Sequence, residues 1–110
     1  MKKFLFLCLP LVFLASCSET PTPVSQNTAY SGVILAMGDS LTIGYGLPES
    51  ESYPAQLERL LQEAGYRYRI ENAGVSGDTS AGLLARTDWM LDGNAPQLVI
   101  LCIGANDAFQ

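Results

Sequence analysis

Three stretches of the 110-residue chain set small polar side chains among glycines directly after apolar runs. They are Gly38-Asp39-Ser40-Leu41, Asn72-Ala73-Gly74-Val75-Ser76-Gly77-Asp78 and Gly104-Ala105-Asn106-Asp107. A serine in the first can be a turn residue, a helix cap or a nucleophile. A nucleophilic serine needs exposure on a tight turn and a backbone amide near its oxygen. Acyl transfer also needs donors aimed at the developing oxyanion, which a glycine N–H and an asparagine amide can supply. Ser40, Gly74 and Asn106 offer those parts from three separate loops. Each has a plainer reading too: Asp39 or Ser40 as a cap, Gly74 as a residue needing positive φ, Asn106-Asp107 as another cap. One fact bears on all of them, because the chain contains no histidine.

The elements that position these loops alternate strand, helix, strand, helix, strand from Ser31 onward. VILAM (33–37) is a short apolar run of the kind buried on both faces of a parallel sheet. SYPAQLERLLQEAGY then sets Leu57, Leu60, Leu61 and Ala64 at helical spacing, with Ser52 and Pro54 at the start and Gly65 at the stop. YRYRIENAG alternates Tyr66, Tyr68 and Ile70 against Arg67, Arg69 and Glu71, which predicts a sheet edge or one wet face. DTSAGLLARTDWMLDG offers Asp78, Thr79 and Ser80 as caps, a stripe of Leu83, Leu84, Thr87, Met90 and Leu91, and Gly93 as a stop. Trp89 there reads as a packing residue. LVILCIG (98–104) predicts a central strand with Cys102 as a small core residue. This pattern matches a flavodoxin-like strand order of 2-1-3, and in such α/β sheets ligands bind outside the carboxyl ends of the strands.

The N-terminal segment reads differently. MKKFLFLCLPLVFLASCS has two lysines, an apolar run from Phe4 to Ala15 and small residues at its end, the layout of a secretory signal. The run is too short for a bilayer core. Leu14-Ala15-Ser16-Cys17 resembles the bacterial lipobox, which implies residues 1–16 as a lipoprotein signal peptide and Cys17 as the lipid-modified first residue of the mature chain. Several acyl chains there give stable anchoring, which one does not. Residues 17–30, rich in Ser, Thr and Pro, read as a flexible tether, and 31–110 as the folded unit. Cys8 leaves with the signal, so no disulfide framework is expected. The mature chain holds four arginines against eleven acidic residues, a net of −7, which argues against nucleic acid as a partner. Dinucleotide and phosphate-loop readings fail as well: Glu49 stands where the third fingerprint glycine belongs, and the mature chain has no lysine. One remaining thiol and scattered acids do not make a metal cluster, so no metal or other cofactor is expected.

GDSL (38–41), NAGVSGDT (72–79) and GAND (104–107), in this order and spacing, resemble the GDSL or SGNH hydrolase family. The subgroup they most resemble is the bacterial arylesterase and thioesterase/lysophospholipase type, and the likeness runs from Val33 to the last residue. It implies a three-layer α/β/α hydrolase fold with a parallel sheet, of which the first β-α-β-α-β portion is present. It also implies Ser40 as nucleophile, with Ser40 N–H, Gly74 N–H and the Asn106 side chain as oxyanion hole, and small acyl esters or thioesters as substrates. The family's Asp-x-x-His, which carries the triad acid and base, is missing, so an N-terminal fragment with little activity of its own is expected. The alternative is a non-catalytic remnant that binds acyl or glycan ligands in the same crevice. The lipobox, with Ser18 after Cys17, suggests a cell-envelope protein on the periplasmic face of the outer membrane. Oligomeric state is not legible.

Overall fold

The computed structural model describes residues 29–109. The segments read above as signal peptide, lipobox with Cys17 and tether, up to residue 28, lie outside the described residues. The elements in order are β1 (Gly32–Gly38), α1 (Ser40–Ile43), α2 (Tyr53–Glu63), β2 (Tyr68–Gly74), α3 (Ser80–Asn94) and β3 (Leu98–Cys102). Single 3-10 turns occupy Glu49–Glu51 and Asn106–Phe109. The strands form one parallel sheet in the order β2-β1-β3, as the 2-1-3 reading expects.

The central strand is the buried one. Ile34, Leu35, Ala36 and Met37 are all buried, because β1 has a strand on each side and helices over its faces. Side chains alternate across a sheet. Leu35 and Met37 join Ala73 and Leu83 in the buried cluster, with Met90, Leu91 and Ile103 packed against it, so α3 covers that face. Ile34 faces the other way, into an apolar cleft of about 300 Å³ that Leu61 and Tyr68 also line.

The helix ends follow local chemistry. Thr79 caps α3, its Oγ1 accepting from Gly82 N–H at 3.2 Å. Ser52 stands at the N-cap of α2 with Pro54 just inside, but its Oγ donates to Glu49 O at 2.8 Å and leaves the helix amides alone. Tyr30, assigned above to the tether, donates its hydroxyl to Glu58 on α2 at 3.3 Å.

Several expectations are corrected. Gly93 does not stop α3, which runs to Asn94 and closes at Ala95 with φ 42°. Pro96 bears on this, since a proline disfavours the right-handed helical region for the residue before it, here Ala95. Leu84 and Trp89 are each 74% exposed, so neither belongs to the packed stripe, and Leu60 of α2 is exposed too. β3 pairs only with β1 among the described residues, and Leu98, Val99 and Leu101 are exposed, so it is an edge strand here and Cys102 is half-buried. Gly74 has no positive φ. Its requirement is steric, as the site makes plain.

Candidate active site

The register sets the geometry. Gly38, the last residue of β1, lies opposite Gly74, the last of β2, and opposite Cys102, the last of β3. The three loops singled out in the sequence therefore leave the sheet level with one another at its carboxyl end.

Two of the glycines allow α1 to lie directly on that end. A Cβ on Gly38 would overlap Thr42 Oγ1 and the Cys102 carbonyl oxygen, and one on Gly74 would overlap Ile43 N. Asp39, only 1% exposed, caps the short helix, its Oδ1 accepting from Leu41 N–H at 2.9 Å. Gly44, at φ 80°, closes it through an N–H bond to Ser40 O, and a side chain there would crowd Ser52 Cβ. Ser40 is thereby held, half-buried, as the first residue of α1. Neither its N–H nor its hydroxyl bonds to another described residue. Asp39 thus takes the cap role that the sequence left open between it and Ser40.

Asn72, absent from the sequence reading as a functional residue, joins two of the loops. Its Nδ2 donates to Thr42 O at 3.0 Å and its Oδ1 accepts from Gly74 N–H at 3.0 Å. The Gly74 amide expected as an oxyanion donor is therefore occupied in this structure. Beyond it, Val75–Asp78 forms a turn closed by Asp78 N–H to Val75 O at 3.1 Å, with Gly77 at φ 81° and exposed. Gly77 N–H has no partner among the described residues.

Asn106 is brought to the same end. Its Nδ2 donates to Asp78 O at 2.7 Å. A carboxamide nitrogen carries two hydrogens, so this bond fixes the amide plane and leaves the second hydrogen available. Asp107 serves as a cap for a helix other than its own: both carboxylate oxygens accept from Ser80 N–H at the start of α3, and Oδ1 also accepts from Ser80 Oγ. The Ser80 hydroxyl, then the Ser80 amide, holds the Asp107 carboxyl below its usual range. Arg86 of α3, a second residue that the motifs did not mark, reaches both Asp78 and Gly38 O. Its signal in the sequence is faint but present, for it is the lone cation of α3.

In chemical terms the end of the sheet presents an unbonded serine hydroxyl beside an unbonded backbone N–H, and an oriented side-chain amide on a neighbouring loop. Such parts suit attack on a carbonyl and stabilisation of the resulting oxyanion. Neither of the two clefts described beside the sheet is lined by Ser40 or Asn106. Among the described residues no group of three or more Cys, Asp or Glu side chains could hold a metal ion, and no helix is long and apolar enough to cross a membrane.

Residues 36–110 match the GDSL-like Lipase/Acylhydrolase family. The chain belongs to this family. Among curated relatives of this GDSL-family chain, esterase TesA of Pseudomonas aeruginosa is 38% identical over 103 residues, 94% of this chain and 46% of the relative. An arylesterase of Vibrio mimicus is 40% identical over 87 residues, 79% of this chain and 44% of the relative. The crystal structure of AlinE4, an SGNH-hydrolase family esterase, superposes with a TM-score of 0.69 at 52% identity, covering 74% of this chain and 44% of that one. The parallel β2-β1-β3 sheet is thus part of the SGNH hydrolase fold. The chain spans less than half the length of the curated relatives it matches.

Proposed function

We propose that Ser40 is the nucleophile of a serine esterase that hydrolyses acyl esters or thioesters. Ser40 Oγ attacks the carbonyl carbon, its proton passes to a general base, and the alcohol or thiol leaves to give an acyl-enzyme that water then cleaves. Ser40 N–H and Asn106 Nδ2 receive the oxyanion, and Gly74 N–H can join them only by releasing Asn72 Oδ1. No histidine is among these 110 residues, and the reading calls for a general base that they do not supply. The observation that carries the reading is the unbonded hydroxyl and amide of Ser40 on a turn level with the Asn106 loop. The names of the relatives, esterase and arylesterase, support the same chemistry. The exposed apolar side chains of Leu41, Ile43, Tyr45 and Leu47, directly after Ser40, support an apolar acyl group.

The test is hydrolysis of p-nitrophenyl acyl esters by the full-length hydrolase and its Ser40→Ala variant. Turnover should vanish with the hydroxyl; a variant as active as the parent would refute the assignment. A second reading, a non-catalytic remnant that binds acyl or glycan ligands, is favoured only by the missing histidine. Its signature is ligand protection of the 110-residue chain against thermal unfolding without covalent labelling by a phosphonate ester.

The proposal extends to location. Cys17 carries the lipid anchor, and the tether after it holds the domain at the periplasmic face of the outer membrane. Radiolabelled palmitate should enter the wild-type protein and sediment with outer membrane, and Cys17→Ala should abolish both; label retained by the variant would rule this out.

A further inference from the structure

We infer that Arg86 is a positioning residue for Ser40, holding the end of β1 and the loop after β2 at a set separation; the inference rests on the reading of Ser40 as nucleophile. The guanidinium makes two kinds of contact. Nε and Nη2 lie 3.0 and 2.9 Å from Asp78 Oδ2, and Nη2 also donates to Gly38 O at 3.2 Å. The ion pair is withdrawn from water, with the Arg86 side chain 21% and that of Asp78 10% exposed. Such a pair is less screened than one on an open surface. Both acceptors sit next to the chemistry. Gly38 lies two residues before Ser40, and the Asp78 carbonyl is what orients the Asn106 amide.

The surroundings are shaped for this contact. Gly38 O also accepts from Val75 N–H at 3.0 Å, so one carbonyl joins β1, the post-β2 loop and α3. At Gly82, in the first turn of α3, a Cβ would overlap Asp78 Oδ1, so the missing side chain lets the carboxylate turn back toward Arg86. A planar guanidinium fork can bridge a carboxylate and a carbonyl together, whereas an ammonium is a single point of charge. Loss of the fork leaves Asp78 without its partner and the Val75 N–H as the remaining tie between Gly38 O and the post-β2 loop, so that the Asp78 end of that loop can shift. Ser40, which follows Gly38, and Asn106, which is held by the Asp78 carbonyl, then lose their mutual alignment.

The experiment uses the full-length hydrolase and its Arg86→Ala, Arg86→Lys and Asp78→Asn variants, with active sites counted by a phosphonate ester so that kcat is expressed per competent site. For Arg86→Ala we expect kcat to fall by up to about 100-fold with KM unchanged, the cost of roughly an ångström of misplacement. Arg86→Lys recovers part of the loss, and millimolar guanidinium added to Arg86→Ala recovers part as well. Asp78→Asn lowers kcat in the same way, and combining it with Arg86→Ala adds nothing further. A merely structural ion pair would lower the melting temperature and the count of competent sites while leaving kcat per site at the parent value, and that result overturns the inference. Should Arg86→Ala fail to fold, Asp78→Asn and Arg86→Lys decide by the same ratio. If Ser40→Ala is itself active, the functional reading fails; if it is inactive while the Arg86 and Asp78 variants keep wild-type kcat, only the positioning role fails.

Discussion

Replacing Gly74 by alanine distinguishes two roles for one residue. The substitution keeps the backbone N–H, so a residue acting only as a hydrogen-bond donor should tolerate it. Its backbone lies outside the left-handed region, so alanine meets no conformational strain there. The added methyl, however, would overlap Ile43 N and stand 2.8 Å from Ile43 Cα and from Thr42 C, where ordinary contact begins at 3.4 Å. Those atoms are backbone, so no side-chain rotation relieves the clash. The α1 backbone must retreat by at least the difference, about 0.6 Å, and by more at Ile43 N. β2 cannot move instead, because Gly74 is paired in register with Gly38. Overpacking of this kind costs about 1–3 kcal/mol. The displaced helix carries Ser40, and a shift near 1 Å lowers the rate by about 100-fold. Urea denaturation and kcat per titrated site in the full-length hydrolase measure the two effects. A Gly74→Ala enzyme with parental stability and parental kcat would show that α1 does not rest on Gly74 as described.

Two further outcomes follow from the helix caps. Asp39→Ala removes a buried cap and should lower unfolding free energy by about 0.5–2 kcal/mol; an unchanged urea midpoint would count against the capping role. Asp107 has a carboxyl held below its ordinary 3.8 by Ser80, so its stabilising contribution is complete above that value and is lost as pH falls through the lowered one. Asp107→Asn should therefore flatten the acid limb of the stability profile below about pH 4, and a variant that unfolds in acid as steeply as the parent would contradict this.

The parts of the fold legible in the sequence are those that one local signal decides. β1 is read from its unbroken apolar run, β2 from its alternation, and the strand order from which of them can tolerate an edge. The placement of Ser40 and Asn106 at one end of the sheet is legible because each follows such a run. What was not legible depends on atoms brought together across the chain. Nothing near Gly74 in sequence announces that Ile43 lies against it, and nothing near Arg86 announces that Gly38, 48 residues earlier, offers it a carbonyl. Trp89 reads as a packing residue, yet burial is decided by which face of α3 meets the sheet, and that face is set by Leu83, Met90 and Leu91. Gly93 reads as the stop of α3 by local punctuation, although the helix runs on to Asn94 and closes at Ala95, before Pro96.

The central position of β1 also bears on how the protein is made. This strand leaves the ribosome first, but its partners begin only at Tyr68 and Leu98, so that Ile34 meets its β3 neighbour 64 residues later. At roughly 5–20 residues per second, that interval is about 3–13 s. Throughout it, the strand that ends up most deeply buried has no partner on its β3 side. Pairings so distant in sequence are slow to form even once the chain is complete. The central strand, β1, is therefore the segment a nascent-chain chaperone would have the longest opportunity to hold.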